Sequence, residues 1–301
     1  MPVPFEPSDL MSRLPQKKAL LCGYYGMGNA GDEALMVTLM QMLPAHITPI
    51  VLSKMPQQTR DRYGVEAYDR WHWRELWKAF QQADIFIWGG GSLMQDTSSV
   101  ISPLYYAGLM KLAQLKGLTT IAWAQGLGPL KQSYNRWMTR HVLDRCDAVS
   151  VRDRASSELL QRWNIPHKLA PDPVLALAGK SIEGLTDGLS SDQSRTAVSL
   201  SAQGTFSADL PRPWIAVNLR QHRTLSPTDV QILGQALQQL QQKTRGTIYF
   251  LPFQASLDLA IAQQLQPTIP QSQILQIEDP QLLKGLFRVM DLTIAMRLHA
   301  V

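Results

Sequence analysis

From Lys18 onward the sequence alternates between short apolar runs rich in β-forming residues and longer segments of helical period. That alternation predicts parallel βαβ units and an open α/β sheet. Strands are expected over residues 19–24, 47–53, 84–88, 119–124 and 148–152, with helices over 33–43, 69–82, 104–116 and about 134–144. The helix 33–43 is apolar nearly all round, which marks it as buried. Each strand ends in glycines or polar residues, and in open α/β sheets that carboxyl edge is where ligands bind.

After Pro173 the texture changes. Residues 179–213 are crowded with Ser, Asp, Gly and Gln and lack sustained periodicity, so they read as an interdomain linker. A second α/β pattern follows, with strands over 214–219, 247–251, 273–277 and 291–296 alternating with helices over 228–243, 257–266 and 280–289. Pro227 suits the first turn of its helix, with Ser226 as N-cap. The expectation is α/β with two Rossmann-like domains, residues 1–178 and 213–301, joined by a linker over 179–212. The second domain reads as incomplete at its C-terminus, because its sheet stops at the last strand without a covering helix.

The last strand is the most suggestive. It runs straight into Arg297 and His299, and residues two apart in a strand point to one face. A guanidinium binds carboxylate or phosphate bidentately and stays charged, while an imidazole exchanges a proton near neutral pH. Together they suit an anionic substrate that must gain or lose a proton; the plain alternative is a solvated Arg beside a structural His. The chain's formal charge of +5 also favours anionic partners, though the scattered Lys and Arg residues set nucleic acid aside.

Gly26, Gly28 and Gly31 spell G-x-G-x-x-G between a strand and a helix, on its face the dinucleotide fingerprint. Asp32 and Glu33 follow at once; carboxylates in a first turn suit the helix dipole but repel a pyrophosphate. The second strand ends at Ser53 and Lys54, where an acidic residue would meet the ribose. The loop therefore reads as one that presents Asn29, Asp32 and Glu33 to a polar ligand, with helix capping as the plain alternative. Gly90, Gly91 and Ser92 form a backbone N–H nest or a simple turn. Gln125 opens the polar end of the strand 119–124. Arg152 and Arg220 sit at strand ends, one in each domain, where a cleft between the sheets is expected; Asp153 is a candidate to neutralise Arg152.

Two cysteines, Cys22 and Cys146, make neither a disulfide framework nor a zinc site. There is no nucleophile elbow, Walker loop or His/Cys metal cluster. Acid–base work on an anion held by arginines is left, with no metal expected. No apolar run approaches the roughly 20 residues of a membrane-spanning helix, and the proline-rich N-terminus lacks the apolar core of a secretory signal. A cytoplasmic location is expected, and peripheral membrane contact is compatible with the positive charge.

Six stretches taken together resemble the polysaccharide pyruvyltransferase family. They are residues 23–33, Trp88 to Ser92, Gln125 to Pro129, Val151 to Asp153, Pro171 to Pro173, and Met296 to His299, in that order. The branch they resemble most acts on cell-wall polysaccharides that anchor surface-layer proteins. The resemblance implies a fold similar to the two-domain GT-B glycosyltransferases, with the active site in the interdomain cleft. It implies phosphoenolpyruvate as co-substrate, no resident cofactor, and a pyruvate ketal on a sugar as product, the acceptor being a polysaccharide or its lipid-linked precursor. It also implies that Arg297 and His299 meet phosphoenolpyruvate, that Arg152 serves activity, and that Asp32 and Glu33 are the acidic residues of the first loop. Family members continue past the Arg-Leu-His motif with a helix, a strand and a further basic residue. A nucleotide-sugar glycosyltransferase and a non-catalytic glycan-binding protein are the rival readings.

Overall fold

The computed structural model describes residues 14–97, 99–182, 206–222 and 224–300; the middle of the expected linker, 183–205, lies outside them. The chain divides into two compact units, one of Met1–Met27 with Leu35–Ala176 and one of Gly28–Ala34 with Leu177–Val301.

The first unit is built on β1 (Lys17–Cys22), β2 (Ile47–Ser53), β3 (Glu66–Asp69), β4 (Ile85–Met94), β5 (Thr119–Leu127), β6 (Ala148–Val151) and β7 (Lys168–Leu169). Among the described residues they form a seven-stranded sheet, β3-β2-β1-β4-β5-β6-β7, parallel throughout. The connections are α1 (Ala30–Met42), α2 (Pro56–Tyr63), α3 (Trp73–Gln82), α4 (Ile101–Leu115), α5 (Ser133–Leu143) and α6 (Arg154–Arg162). Covered on both faces, the central strands are continuously apolar: Ala19 to Cys22 and Phe86 to Trp88 are buried. One core lies under α3, α4, α5 and α6 and holds Phe80, Trp88, Met110 and Leu160. The other lies under α1 and holds Met36, Leu39 and Ile87. Truncating a fully buried side chain such as Trp88 costs about 3–5 kcal/mol.

The expected strands and helices of this unit are present, β2 to the residue and the others with shifted ends. Four elements were not anticipated: α2, β3, α6 and β7. In α2 the sequence PQQTRDRY has no apolar stripe, and only Thr59 is buried; the helix is set by Pro56 in its first turn and by Gly64, at φ +64°, closing its end. The helix expected over 69–82 begins only at Trp73, because Asp69 pairs into β3.

In the second unit, β8 (Trp214–Asn218), β9 (Thr247–Phe250), β10 (Ser272–Ile274) and β11 (Leu292–Ala295) alternate with α7 (Pro227–Thr244), α8 (Ala255–Leu265) and α9 (Pro280–Phe287). The sheet order is β10-β9-β8-β11, again parallel. Helix α7 opens with a complete capping box, Ser226 and Asp229 each bonding the other's backbone amide. In both units the strand order reverses beside the first strand, between β1 and β4 and between β8 and β11. In doubly wound sheets the loops at such a switch point hold the ligand.

Candidate functional site

β11 ends at Ala295, and Leu298–Ala300 closes a 3₁₀ turn. Arg297 and His299 are therefore not alternate residues on one strand face, contrary to the spacing argument. The ladder ends because β8 ends: Met296 N donates to Asn218 O at 2.9 Å, and the Ala300 amide then turns back to Arg297 O at 3.1 Å. Each side chain is aimed by a different neighbour.

Arg297 meets Asp258. Its Nε donates to Oδ2 at 2.8 Å and its Nη2 to Oδ1 at 2.7 Å, with Gln254 Oε1 accepting a longer bond at 3.4 Å. Asp258 lies in the first turn of α8 and is 1% exposed. Its Oδ2 also accepts the backbone amides of Phe253 and Gln254, both at 2.9 Å. One carboxylate thus ties the loop before α8 to its first turn and locks the guanidinium. A bidentate pair with its remaining lone pairs satisfied is the arrangement in which a buried ion pair is tolerated.

The start of α1 is anchored at the same place, since the Ala30 amide donates to Phe253 O at 2.9 Å. A Cβ on Gly31 would lie 2.5 Å from His299 Nδ1, so glycine is what admits the imidazole so near the helix start. Asn29 holds the first turn: its carbonyl accepts the amides of Asp32 and Glu33 at 3.1 and 3.0 Å, and its side-chain amide donates to the Asp32 carboxylate. Glu33 is buried. Two carboxylates in this turn are favoured by the helix dipole.

Arg220 follows β8 across the switch point. Its backbone amide donates to Met296 Sδ at 3.5 Å, which ties it to the residue before Arg297. Its Nε is buried and has no hydrogen-bond partner among the described residues; the same holds for Oδ1 of Asn218, whose Nδ2 donates to Leu251 O at 2.7 Å. Leaving a buried donor unpaired costs about 1–3 kcal/mol, more for a charged group.

The first unit has its own polar edge. Gly90 and Gly91, at φ +86° and +91°, do not close β4 as a nest; the strand runs on to Met94 and shifts register with β5 between Gly91 and Met94. The extra residue falls just past the glycines, and such an irregularity re-aims the residues beyond it. Gln125 lies opposite Gly91, fully buried, donating to Trp123 O at 2.8 Å and Trp88 O at 3.3 Å, with Oε1 unpartnered among the described residues. Arg152 Nη1 donates to Asp172 Oδ2 at 2.7 Å and Nη2 to Ser92 Oγ at 3.3 Å. Asp153 does not neutralise Arg152. It caps α6, accepting the Ser156 amide and hydroxyl at 2.8 Å each, and Asp172 of the Pro-Asp-Pro stretch takes the guanidinium.

Neither thiol is a nucleophile at neutral pH: burial pushes Cys22 and Cys146 up to about 12. Among the described residues no group of three His, Cys, Asp or Glu side chains is gathered as a metal centre requires. Sequence reasoning missed Asp258 and Gln254 altogether; an Asp in the first turn of a helix that follows a strand is favoured by the helix dipole, and that acidic position is the one local signal that singles out Asp258.

A family model described as polysaccharide pyruvyl transferase matches residues 29–301. Among solved structures, S. aureus MnaA in a co-structure with UDP matches with a TM-score of 0.55 at 10% identity, covering 94% of this chain and 74% of that one. The UDP-GlcNAc 2-epimerase from Neisseria meningitidis bound to UDP-GlcNAc gives 0.55 at 13% identity, over 94% and 78%. That from Methanocaldococcus jannaschii gives 0.55 at 10%, over 94% and 79%. At such identities the likeness bears on the fold, which is α/β of the GT-B type. No curated protein matches by sequence.

Proposed function

The chain belongs to the polysaccharide pyruvyl transferase family, and from that premise we propose that it transfers pyruvate from phosphoenolpyruvate to a sugar, forming a ketal and releasing phosphate. The observation that carries the chemistry is His299 set against Gly31 beside an arginine pair, Arg297 and Arg220, at the switch point of the second sheet.

His299 is the general acid that protonates the methylene carbon of phosphoenolpyruvate, leaving the central carbon electrophilic. A sugar hydroxyl attacks that carbon and gives its proton to Asp32 or Glu33. The carbon–oxygen bond to phosphate then breaks, phosphate leaving with the electron pair, and a second hydroxyl closes the ketal. Of the two hydroxyl protons, one ends on the new methyl group and one on phosphate, so the enzyme returns to its starting state. Arg297 has Nε and Nη2 committed to Asp258, so Nη1 is what it offers the substrate. Arg220 has no ion pair among the described residues and supplies most of the charge that meets the carboxylate and phosphate. Arg152, Ser92, Gln125 and the backbone at Gly90 and Gly91 bind the acceptor sugar, with Asn29 orienting the first loop.

The acceptor inferred from the motif resemblance is a cell-wall polysaccharide or its lipid-linked precursor. The reaction then runs in the cytoplasm, peripheral to the inner face of the membrane. No helix of the described residues is long and apolar enough to cross a membrane.

The test is phosphate release from phosphoenolpyruvate with a pool of amino-sugar acceptors. Release should require both substrates, and His299→Ala should lower it about 10²–10⁴-fold without changing the circular dichroism spectrum. Consumption of a UDP-sugar instead would move the assignment to glycosyl transfer, and glycan binding without turnover would make the protein a non-catalytic binder.

A further inference from the structure

We propose that the outer face of α3, α4 and α5 is a docking surface for an anionic lipid bilayer. The proposal rests on the membrane-peripheral reading above for its purpose, while its grounds are separate.

The three helices lie side by side on one face of the first sheet. Lys116, just past α4, places Nζ 4.6 Å from the ring centre of Trp77 on α3, and Trp71 packs on Tyr105 of α4 at 4.8 Å. Gln114 of α4 donates to Val142 O of α5 at 2.8 Å. Their inner sides enter one core through Phe80, Met110 and Val142. Their outer sides do not resemble an ordinary solvated surface. Trp73 and Trp77 of α3 are 68% and 45% exposed, Ile101 and Leu115 at the two ends of α4 are 72% and 73%, and Tyr134 and Trp137 of α5 are 57% and 61%. With Trp71, this layer carries every exposed tryptophan of the protein. An apolar collection of this kind marks an interaction surface.

Charge decides what it meets. Residues 71–82, 101–117 and 130–145 hold two, two and four Lys or Arg residues, eight in all, against two carboxylates, Glu75 and Asp144. The whole chain carries a net +5, so these segments hold more than all of it and the remainder is slightly acidic. The cations are interleaved with the rings: Arg74 lies 5.4 Å from the Trp73 ring centre, and Trp137 stacks between Tyr134 and His141. A protein partner with an acidic groove would not call for so many exposed tryptophans. Indole and phenol rings partition to the boundary between headgroups and acyl chains, and Lys and Arg around them are drawn to anionic headgroups. A basic amphipathic layer with no spanning helix lies on a bilayer rather than through it.

The test is co-flotation of the full chain with vesicles of phosphatidylcholine alone and with phosphatidylglycerol added, at low and high salt. The expected result is binding to the anionic vesicles, weakened at least about tenfold by salt, by Lys78→Glu with Arg140→Glu, and by Trp73→Ser with Trp137→Ser. Phosphate release with a soluble acceptor should stay unchanged in all variants, which separates this surface from the transfer chemistry and reports that the variants fold. Equal binding to both vesicle types, or variants that bind like the parent, would overturn the proposal. So would retention on an immobilised polysaccharide that depends on Trp73 and Trp137 without any vesicle binding; the layer would then be a stacking platform for sugar rings.

Discussion

The polar edges of the two sheets handle their arginines differently. In the first unit, Arg152 is matched by Asp172, and the ion pair is partly open to solvent, with side chains 9% and 18% exposed. In the second, Arg297 is clamped by a fully buried Asp258 through two bonds, while Arg220 on the adjoining strand has a buried Nε and no acceptor among the described residues. A matched pair fixes geometry and leaves little net charge for a ligand. An unmatched guanidinium stores a desolvation cost that an anion relieves. On the proposed function the first edge meets hydroxyls and the second a carboxylate or a phosphate, although both carry an arginine near the end of a parallel strand.

Removing each clamp in turn sharpens that contrast. Asp258→Asn leaves the Arg297 guanidinium beside a neutral amide at a fully buried position and loosens the loop that enters α8, so the largest effect is expected here. Thermal or denaturant unfolding should show a loss of about 3–5 kcal/mol, together with a steep fall in turnover. Asp172→Asn, at a pair that water partly screens, should cost about 1–2 kcal/mol and leave phosphoenolpyruvate affinity within a few-fold of the parent. Equal losses from the two substitutions would remove the distinction between a buried clamp and a screened one.

Much of the fold was legible because the apolar runs are strong and regular. β2 was placed to the residue, and the capped start of α7 could be read from Ser226 and Pro227. Where the pattern is polar, as in α2, periodicity had nothing to work with, and backbone capping decides the helix. The glycines after Trp88 read as a nest or a turn because glycine favours both; pairing with β5 carried the strand through them to Met94, a long-range fact. The same limit applies to the site. Arg297 and His299 stand out as residue types, but Asp258 is 39 residues from Arg297 in sequence, and only the closeness of the β9–α8 loop to the end of β11 brings them together. The local rule that put Arg297 and His299 on one strand face failed because it assumed that the strand continues, while its partner β8 had already ended.

Binding of phosphoenolpyruvate, measured by titration calorimetry without acceptor, tests most directly whether the unmatched arginine is the anion site. Arg220→Ala should weaken binding by about 10–100-fold, equivalent to roughly 1.5–3 kcal/mol for a hydrogen bond to a charged group, and Arg152→Ala should leave it within a few-fold. Binding that survives Arg220→Ala and collapses with Arg152→Ala would contradict the assignment and put the anion at the first sheet.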